Sequence, residues 1–291
     1  MSRRTAPRPE LAGLVLAAGA GTRLRPLSDE RPKPLCPVGF DALLDAALVR
    51  VAAALGSQAG LAVNLCHGAA MIEAHLAAGP WERVHRSFEP TALGTAGAVA
   101  PLRDWLDGRG LLIVNGDTWC PATLRGFVEA WDGERIAVAV HGSPPLHGRS
   151  RIVASILPWS DARTVQPVPA GLWERFWRDR LAAGLIQVTG IDGPFVDCAT
   201  VADYLQANLG WLATGSDGTV GGRAVHPTAT VRAGAVVRRS VIGAGATVAG
   251  RIDRCVVWPG ARVDPHEDLS EVVRTGSGRT FRADAPAPAP R

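Results

Sequence analysis

The sequence predicts an α/β fold with a Rossmann-like, mixed but mostly parallel sheet, followed by a short left-handed parallel β-helix. From residue 11 to about 140, short apolar runs alternate with stretches of helical composition, which is typical of a sheet covered by helices on both faces. After Val220, aliphatic residues recur near every sixth position with small residues between them. The 291 residues are long enough for both parts.

The α/β part contains five predicted strands. They cover 11–17, 61–66, 84–88, 111–114 and 136–140. The predicted helices between and after them cover 42–55, 69–77, 95–105 and 122–131. The stretch 143–212 is less regular and predicts a substrate-specific lobe, with a helix at 172–183 and a capping box formed by Thr200 and Asp203. Parallel sheets of this type bind ligands at the carboxyl ends of their strands.

The β-helix is indicated by a repeat. SVIGAGATV at 240–248 recurs as CVVWPGARV at 255–263, and AVHPTATV ends at Val231. Stacked coils produce such a repeat, although a set of small antiparallel strands is the alternative. The ends of the chain are rich in proline, glycine and charge. We therefore predict four segments, which are a disordered tail at 1–10, an α/β domain at 11–214, a β-helix at 220–273 and a disordered tail at 274–291.

Charge and composition exclude several classes of function. The net charge of +4 arises from 31 basic and 27 acidic residues, and several of the excess arginines lie in the tails, so no nucleic-acid partner is expected. No apolar run approaches about 18 residues, so no membrane span is expected, and without the apolar core of a secretory signal we expect the cytosol. Five scattered cysteines lack C-x-x-C spacing, which argues against a zinc site or a disulfide framework.

The segment LVLAAGAGTRLRP at 14–26 runs from a strand into a charged loop. Gly19 and Gly21 let the backbone approach a ligand closely, and Thr22, Arg23 and Arg25 add a hydroxyl and two positive charges. The loop therefore predicts a polyphosphate cradle, although it matches neither the Walker loop nor G-x-G-x-x-G. A plain tight turn is the alternative.

The segment RPKPLCPVG at 31–39 follows closely and contains the only lysine of the chain. Pro32 and Pro34 flank Lys33, so we expect an extended, stiff backbone that presents the ammonium to an anion. An exposed charge on a proline-rich connector is the alternative.

Three further segments carry suitable chemistry. Asp117 follows the apolar strand LLIVNG, where a carboxylate can hold a hard divalent cation against substrate phosphates, or can simply close a turn. LGTAGAV at 93–99 is a small-residue loop that enters a helix, and its backbone can lie against a base or a sugar. Asp197 precedes the capping Thr200, so the helix does not need it as a cap.

Together these segments resemble the signature of the sugar-1-phosphate nucleotidyltransferases, and in particular the mannose-1-phosphate guanylyltransferase type. The matches follow the order of the family, and they are LVLAAGAGTRLRPL, RPKPLCPVG, AVNLCH at 62–67, LGTAGAV, VNGDTW at 114–119 and FVDCATVADYLQAN at 195–208. The resemblance covers about 11–212 and implies the fold of nucleotide-diphospho-sugar transferases. Short left-handed β-helices are also common at the end of such enzymes.

The resemblance implies a Mg²⁺-dependent transfer of a nucleotidyl group from a nucleoside triphosphate to a sugar 1-phosphate, with release of pyrophosphate. Arg23, Lys33 and Asp117 are implied as catalytic residues, and Asp117 and Asp197 as metal ligands. Asp197 and Arg149 are assigned to the sugar phosphate. The implied nucleotide-binding residues are Ala17, Ala18, Gly19, Gly21, Thr22, Arg23, Lys33, Glu89, Gly94 and Thr95.

The sequence also departs from the family pattern. D-C-A-T-V replaces D-I-G-T-P at 197–201, and the E-K-P lysine of the sugar lobe is missing. HGR at 147–149 resembles a stretch in compact uridylyltransferases that act on amino-sugar phosphates, which makes Arg149 a candidate substitute for that lysine, while a solvated loop is the interpretation that the segment itself favours. GTP and mannose 1-phosphate are the first expectation for the substrates, while UTP or another nucleotide with glucose, amino-sugar or heptose phosphates stays open. A non-catalytic sensor or partner subunit is the rival hypothesis, and the end of the β-helix favours homo-oligomerisation.

Overall fold

The computed structural model describes residues 10–215, 219–220 and 222–283. The strands, in chain order, are β1 Leu11–Leu16, β2 Pro37–Val38, β3 Asp41–Ala42, β4 Leu61–Leu65, β5 His85–Phe88, β6 Gly110–Asn115, β7 Thr118–Trp119, β8 Ile136–His141, β9 Ile152–Leu157, β10 Ile186–Ile191, β11 Val196–Asp197, β12 Thr219–Val220, β13 Arg223–Val225, β14 Thr230–Val231, β15 Val236–Arg238, β16 Val241–Ile242, β17 Thr247–Val248, β18 Arg251–Asp253, β19 Val256–Val257, β20 Arg262–Val263, β21 Asp268–Ser270, β22 Val272–Arg274 and β23 Thr280–Arg282. The α-helices are α1 Leu27–Glu30, α2 Leu43–Leu55, α3 Ala69–Ala78, α4 Gly94–Gly97, α5 Arg103–Leu106, α6 Arg125–Ala130, α7 Trp159–Ala162, α8 Arg178–Ala182 and α9 Val201–Ala213.

The described residues divide into two compact units. The first unit contains 10–19, 46–116 and 120–193, and the second contains 20–45, 117–119 and the residues from 194 onward. This division differs from the predicted domains, because the charged segment around Lys33 and the short segment after β6 belong to the same unit as the β-helix.

The first unit is built on one seven-stranded sheet with the order β10-β8-β9-β6-β1-β4-β5. All neighbouring strands are parallel except β9, which runs antiparallel to both β6 and β8. The central strands β1, β6 and β8 are nearly continuous apolar runs and are almost wholly buried, as a sheet covered on both faces requires. The predicted mixed, mostly parallel sheet is confirmed.

The predicted helix over 95–105 is interrupted. The chain forms α4, then a 3₁₀ turn at Ala100–Leu102, and then α5. Pro101 lies inside the 3₁₀ turn, and because proline lacks an N–H group and restricts its preceding residue, one continuous helix is disfavoured there.

The second unit contains the β-helix, whose strands stack on three faces. One sheet has the order β12-β13-β16-β19-β22-β23, and the other two are β14-β17-β20 and β15-β18-β21. Val241 lies in register with Val256, which is the offset of fifteen residues that the sequence repeat predicts. Apolar side chains such as Ile242, Val248 and Ile252 fill the space between the faces. The repeated parallel strands confirm the predicted β-helix, and its left-handed sense stays a prediction.

The predicted C-terminal tail differs from the structure over 274–283. Here β22 and β23 form an antiparallel hairpin closed by a hydrogen bond from the Thr275 amide to the Arg279 carbonyl, and Phe281 is buried in the core. Glycine-rich polar composition describes a hairpin turn as well as a tail, which explains the error. The rest of this tail and residues 1–9 lie outside the described residues.

Antiparallel strands also border the six-stranded sheet on both sides, so its parallel stack is not continued at either edge.

One hydrophobic cluster joins the segments of the second unit. It contains Leu24 and Cys36 from the loop segments, Trp119 from β7, Tyr204 from α9 and Trp258 from the β-helix, among others. Helix α9 begins at the predicted capping box, in which the Thr200 hydroxyl accepts from the Asp203 amide and the Asp203 carboxylate accepts from the Thr200 amide. The segment that carries Lys33 and the β-helix therefore share one core.

No helix in the described ranges is long and apolar enough to cross a membrane. All five cysteines are free.

We predict that the buried hydroxyl of Tyr204 stabilises this core measurably. It donates to the Pro37 carbonyl and accepts from Trp258 Nε1 at 2.9 Å. Tyr204→Phe leaves the indole N–H without its acceptor, so the free energy of unfolding should fall by about 1–3 kcal/mol in urea denaturation. A double-mutant cycle with Trp258→Phe is the control, and the combined loss should be smaller than the sum of the two single losses. A loss below about 0.5 kcal/mol, the range of surface substitutions, would contradict the prediction.

Candidate functional site

The short ladder between β7 and β11 brings two distant carboxylates together. Asp197 lies opposite Thr118 in this antiparallel pair, so Asp117, which directly precedes Thr118, is a close neighbour of Asp197. The side chains of Asp117 and Asp197 are 40% and 46% exposed, which leaves both open to a ligand.

The Lys33 ammonium lies between these carboxylates. Its Nζ atom is 2.8 Å from Asp117 Oδ2 and 2.9 Å from Asp197 Oδ1, and its side chain is only 5% exposed. Arg23 adds a second cation, with its guanidinium 3.4 Å from Asp197 Oδ2 and its side chain 71% exposed. The structure therefore brings together Arg23, Lys33, Asp117 and Asp197, which we call the charged cluster.

The backbone at Lys33 differs from the extended conformation that the prolines predict. Lys33–Leu35 forms a 3₁₀ turn with hydrogen bonds from the Leu35 amide to the Pro32 carbonyl and from the Cys36 amide to the Lys33 carbonyl. Pro34 occupies the first turn, where its missing N–H group is not needed. The ammonium is thus buried against carboxylates rather than presented to solvent.

The carboxylates decide the protonation of Lys33. Burial disfavours the charged ammonium, but the charges and hydrogen bonds of Asp117 and Asp197 outweigh this effect and raise the pKa of Lys33 above its ordinary value. Burial also raises the pKa of the Cys36 thiol to about 12, and it raises the pKa of Cys198. Both thiols stay protonated at neutral pH, so neither serves as a thiolate nucleophile.

The loop that carries Arg23 is held against Lys33. Gly21 has a φ of +60°, and a Cβ atom there would lie 3.2 Å from the Cβ of Lys33, so both backbone conformation and space favour glycine. The Gly21 carbonyl accepts hydrogen bonds from the Leu24 amide at 3.0 Å and from the Ser28 hydroxyl at 2.9 Å. Thr22 and Arg23 are exposed in the turn that results.

A buried polar network in the first unit connects two of the predicted nucleotide-binding loops. The Ala17 amide donates to Asn64 Oδ1 at 2.7 Å, and Asn64 Nδ2 donates to Glu89 Oε1 at 2.8 Å. The other oxygen of Glu89 accepts from the Leu93 amide at 2.8 Å. Both carboxylate oxygens of Glu89 are therefore occupied, which makes Glu89 a positioning residue for the two loops.

Sequence analysis gave no role to Asn64 or to His67, which contacts the Ala18 carbonyl at 3.0 Å. Asn64 is a polar residue inside the apolar strand β4, and this was the signal that could have identified it. Ala17 and Ala18 are buried, and Gly19 after them is exposed, with open space where a Cβ atom would be.

The loop with Gly94 and Thr95 packs against the backbone at 170–172. A Cβ atom at Gly94 would lie 2.6 Å from the Ala170 carbonyl oxygen, and φ is +72°, so only glycine fits. The Ala170 carbonyl accepts from the Ala96 amide at 2.9 Å, and the Thr95 hydroxyl accepts from the Leu172 amide at 2.9 Å.

A cavity of about 180 Å³ in the first unit begins at this loop. Its walls are formed by Leu16, Thr95, Ile113, Asn115, Ile152, Val153, Ser155, Gly171, Leu172, Trp173, Glu174 and Trp177. The indole nitrogen of Trp177 is buried and has no hydrogen-bond partner among the described residues. A mainly apolar cavity with a few polar groups is typical of a site for a small molecule with a ring.

Arg149 is not among the residues that line this cavity. It lies in the exposed turn after His147, and its backbone amide donates to His147 Nδ1 at 3.2 Å. Its assignment to the sugar phosphate stays a prediction.

Because Lys33 is the only lysine, its protonation can be measured directly. Protein labelled with ¹³C at lysine Cε should give one titrating side-chain NMR resonance. We expect a midpoint above that of the chain in urea, where the pKa is about 10.4. A raised pKa stabilises the fold fully below the unfolded value, and this stabilisation is lost as the pH rises through the folded value. Asp197→Asn should lower the midpoint, and a folded midpoint at or below the unfolded one would refute the assignment.

A second prediction concerns Glu89. Glu89→Gln keeps the shape but leaves one oxygen to accept two hydrogen bonds, so either Asn64 or the Leu93 amide loses its partner. We expect faster hydrogen exchange at Leu93 and a loss of about 1–3 kcal/mol in unfolding free energy. Glu134→Gln, which removes an exposed carboxylate in the same unit, should change neither quantity. Unchanged exchange at Leu93 would contradict the positioning role.

Comparison with known proteins gives a consistent assignment. Residues 12–142 match the sequence profile of the family described as Nucleotidyl transferase. N-acetylmuramate alpha-1-phosphate uridylyltransferase of Caulobacter vibrioides is 38% identical over 141 residues, which cover 45% of this chain and 57% of that protein. Mannose-1-phosphate guanylyltransferase of Mycobacterium tuberculosis is 27% identical over 296 residues, which cover 88% of this chain and 82% of that protein. The chain thus spans little more than half of the length of its Caulobacter relative.

A similar fold occurs in a crystal structure from Bacillus anthracis that is named as a glucose-1-phosphate thymidylyltransferase. Its TM-score is 0.54 at 18% identity, and the match covers 68% of this chain and 94% of that chain. At this identity the likeness concerns the fold alone. Residues 12–142 are thus similar to the nucleotidyl transferase family, and the two relatives are named as nucleotidyltransferases that act on sugar 1-phosphates.

Proposed function

We propose that the chain transfers a nucleotidyl group from a nucleoside triphosphate to a sugar 1-phosphate and releases pyrophosphate. The observation that carries the proposal is the charged cluster, in which two carboxylates and two cations from segments far apart in the sequence meet at one place. The match of 12–142 to the nucleotidyl transferase family supports it.

The two carboxylates of the cluster fit a magnesium ion whose other coordination positions are filled by substrate phosphates and water. Mg²⁺ is usually bound by one or two carboxylates together with substrate phosphates and water. Asp117 and Asp197 are partly exposed, and each keeps one oxygen that is not bonded to Lys33. The described residues contain no group of three or more acidic, histidine or cysteine side chains placed to hold a metal on their own. We therefore propose Asp117 and Asp197 as the protein ligands, and the bound ion would neutralise charge on the phosphates.

The cations of the chain then act on the phosphates. Reaction requires an oxygen of the sugar phosphate to attack the α-phosphorus of the triphosphate, so two anions must be held close together. Lys33 offsets their repulsion from a fixed, buried position, and its raised pKa keeps it charged at neutral pH. Arg23 is exposed and only loosely paired with Asp197, so it is free to bind the departing pyrophosphate.

We propose the nucleotide and the sugar from the named relatives. GTP with mannose 1-phosphate is our first expectation, and the long match to the Mycobacterium tuberculosis guanylyltransferase favours it. UTP with an amino-sugar phosphate is the second candidate, because the relative with higher identity over a shorter span is named as a uridylyltransferase. We propose that the cavity beside Thr95 takes a ring of one substrate. The free cysteines suit a reducing compartment, and we propose the cytosol.

The activity is tested by measuring pyrophosphate release across a matrix of nucleoside triphosphates and sugar 1-phosphates, with Mg²⁺ and with a chelator. One strong pair that needs the metal would identify the substrates. Binding of nucleotide sugars without pyrophosphate release in any combination would favour a sensor or a partner subunit instead.

For the active pair, we predict that Asp117→Asn and Lys33→Met each reduce turnover at least about 100-fold, since one preorganised contact to developing charge typically contributes about 2.7–4 kcal/mol to the barrier. Asp179→Asn removes a strongly exposed carboxylate and should leave turnover unchanged. Near-normal turnover in either cluster variant, with unchanged thermal stability, would remove that residue from the mechanism.

A further inference from the structure

A second basic site lies in the unit that contains the β-helix. A groove of about 580 Å³ has the side chains of Arg274, Arg279 and Arg282 in its wall, and Glu267 is the one acidic residue that lines it among the residues that the structure describes. Sequence analysis placed the three arginines in the predicted tail at 274–291 and Glu267 in the predicted β-helix, so the groove had no predicted role.

The arginines exceed the carboxylates that neutralise them. Arg274 is paired with Glu267, and Arg279 forms an ion pair with Glu30 at 2.9 Å. Arg282 is exposed and makes no ion pair with any residue in the described part of the chain. Within the described ranges, one positive charge therefore stays uncompensated even when Glu30, which is not part of the wall, is counted.

Arg274 carries an additional unsatisfied group. Its side chain is only 11% exposed, and its Nε atom is buried with no hydrogen-bond partner among the described residues. A buried donor without a partner costs free energy, and guanidinium groups bind phosphate oxygens well. The Nε atom of Arg274 is closed to solvent, so the exposed guanidinium of Arg282 is the group that a ligand in the groove reaches directly.

The wall also offers apolar surface. Pro26, Val201 and Phe281 line it, and the Arg279 guanidinium lies over the Phe281 ring at 4.9 Å from its centroid. This composition suits a small molecule with a phosphate group and an organic body better than a bare polyanion.

Two wall residues connect the groove to the charged cluster. Pro26 lies three residues after Arg23, and Val201 begins α9, which follows Asp197 by one short turn. A ligand in this groove therefore contacts the segments that carry Arg23 and Asp197, all of which belong to the same unit.

We infer that this groove binds a phosphate-bearing small molecule and that its occupancy adjusts the charged cluster. The site is separate from the cluster itself, and the inference does not require the proposed reaction. Arg282 supplies the contact that is open to substitution without disturbing a partner.

The test uses the full chain and inorganic phosphate as the probe, at constant ionic strength maintained with chloride. Calorimetry should show phosphate binding that Arg282→Gln weakens about tenfold, as expected for the loss of one charge-assisted contact. Arg262→Gln, an exposed arginine of the same β-helix, is the matched control and should bind like the wild type. Equal affinity in the Arg282 and Arg262 variants, or no binding, would overturn the site.

The ¹³Cε resonance of Lys33 reports on the coupling. Phosphate should shift this signal in the wild type and in Arg262→Gln with the midpoint seen by calorimetry, and the midpoint in Arg282→Gln should lie at about tenfold higher phosphate. An equal shift in both variants would place the phosphate at the cluster rather than in the groove and overturn the inference. An unmoved Lys33 signal at a phosphate concentration that saturates the calorimetric site would overturn the regulatory role.

Discussion

The Lys33 ammonium is nearly removed from water, and an isolated ammonium in such a position would lose its proton or destabilise the fold. Asp117 and Asp197 prevent this by accepting from it at 2.8 and 2.9 Å. The two acids come from positions 80 residues apart and meet only because β7 pairs with β11. Three remote segments must therefore fold together before this charge is tolerated, so the geometry of the cluster is a condition of folding as well as a feature of the site.

The pairing of the Lys33 ammonium with two carboxylates has a consequence for the proposed chemistry. If phosphates and a cation bind as proposed, the carboxylates would gain a new positive partner and the ammonium would gain new anions. Lys33 would then exchange one set of opposite charges for another without leaving its buried position. Arg23 differs, because it is exposed and held by a single longer contact, so it can follow a moving phosphate. One fixed cation and one mobile cation thus share the electrostatic work of the proposed site.

Local patterns predicted much of this protein. Apolar runs identified five of the seven strands of the sheet and missed β9 and β10. The Thr200 and Asp203 pair identified the start of α9, and the repeat predicted the register of Val241 with Val256. What the sequence did not reveal depends on partners that are distant along the chain. The burial of Lys33 follows from the β7–β11 ladder, and the role of Glu89 follows from donors on two separate loops. The hairpin at 272–282 was missed because its turn has the composition of a tail, and only the packing of Phe281 distinguishes the two.

The hydrophobic cluster around Tyr204 contains residues from the Arg23 and Lys33 segments, from β7 and from the β-helix. A β-helix appended to an enzyme is often regarded as a module that can be exchanged between relatives or removed. Here such an exchange would disrupt one continuous hydrophobic core. The coils of a new β-helix would have to pack against the side chains of the segments that carry the charged cluster. The coils and the loops at 20–45 are therefore expected to change in concert during evolution, as one inherited block.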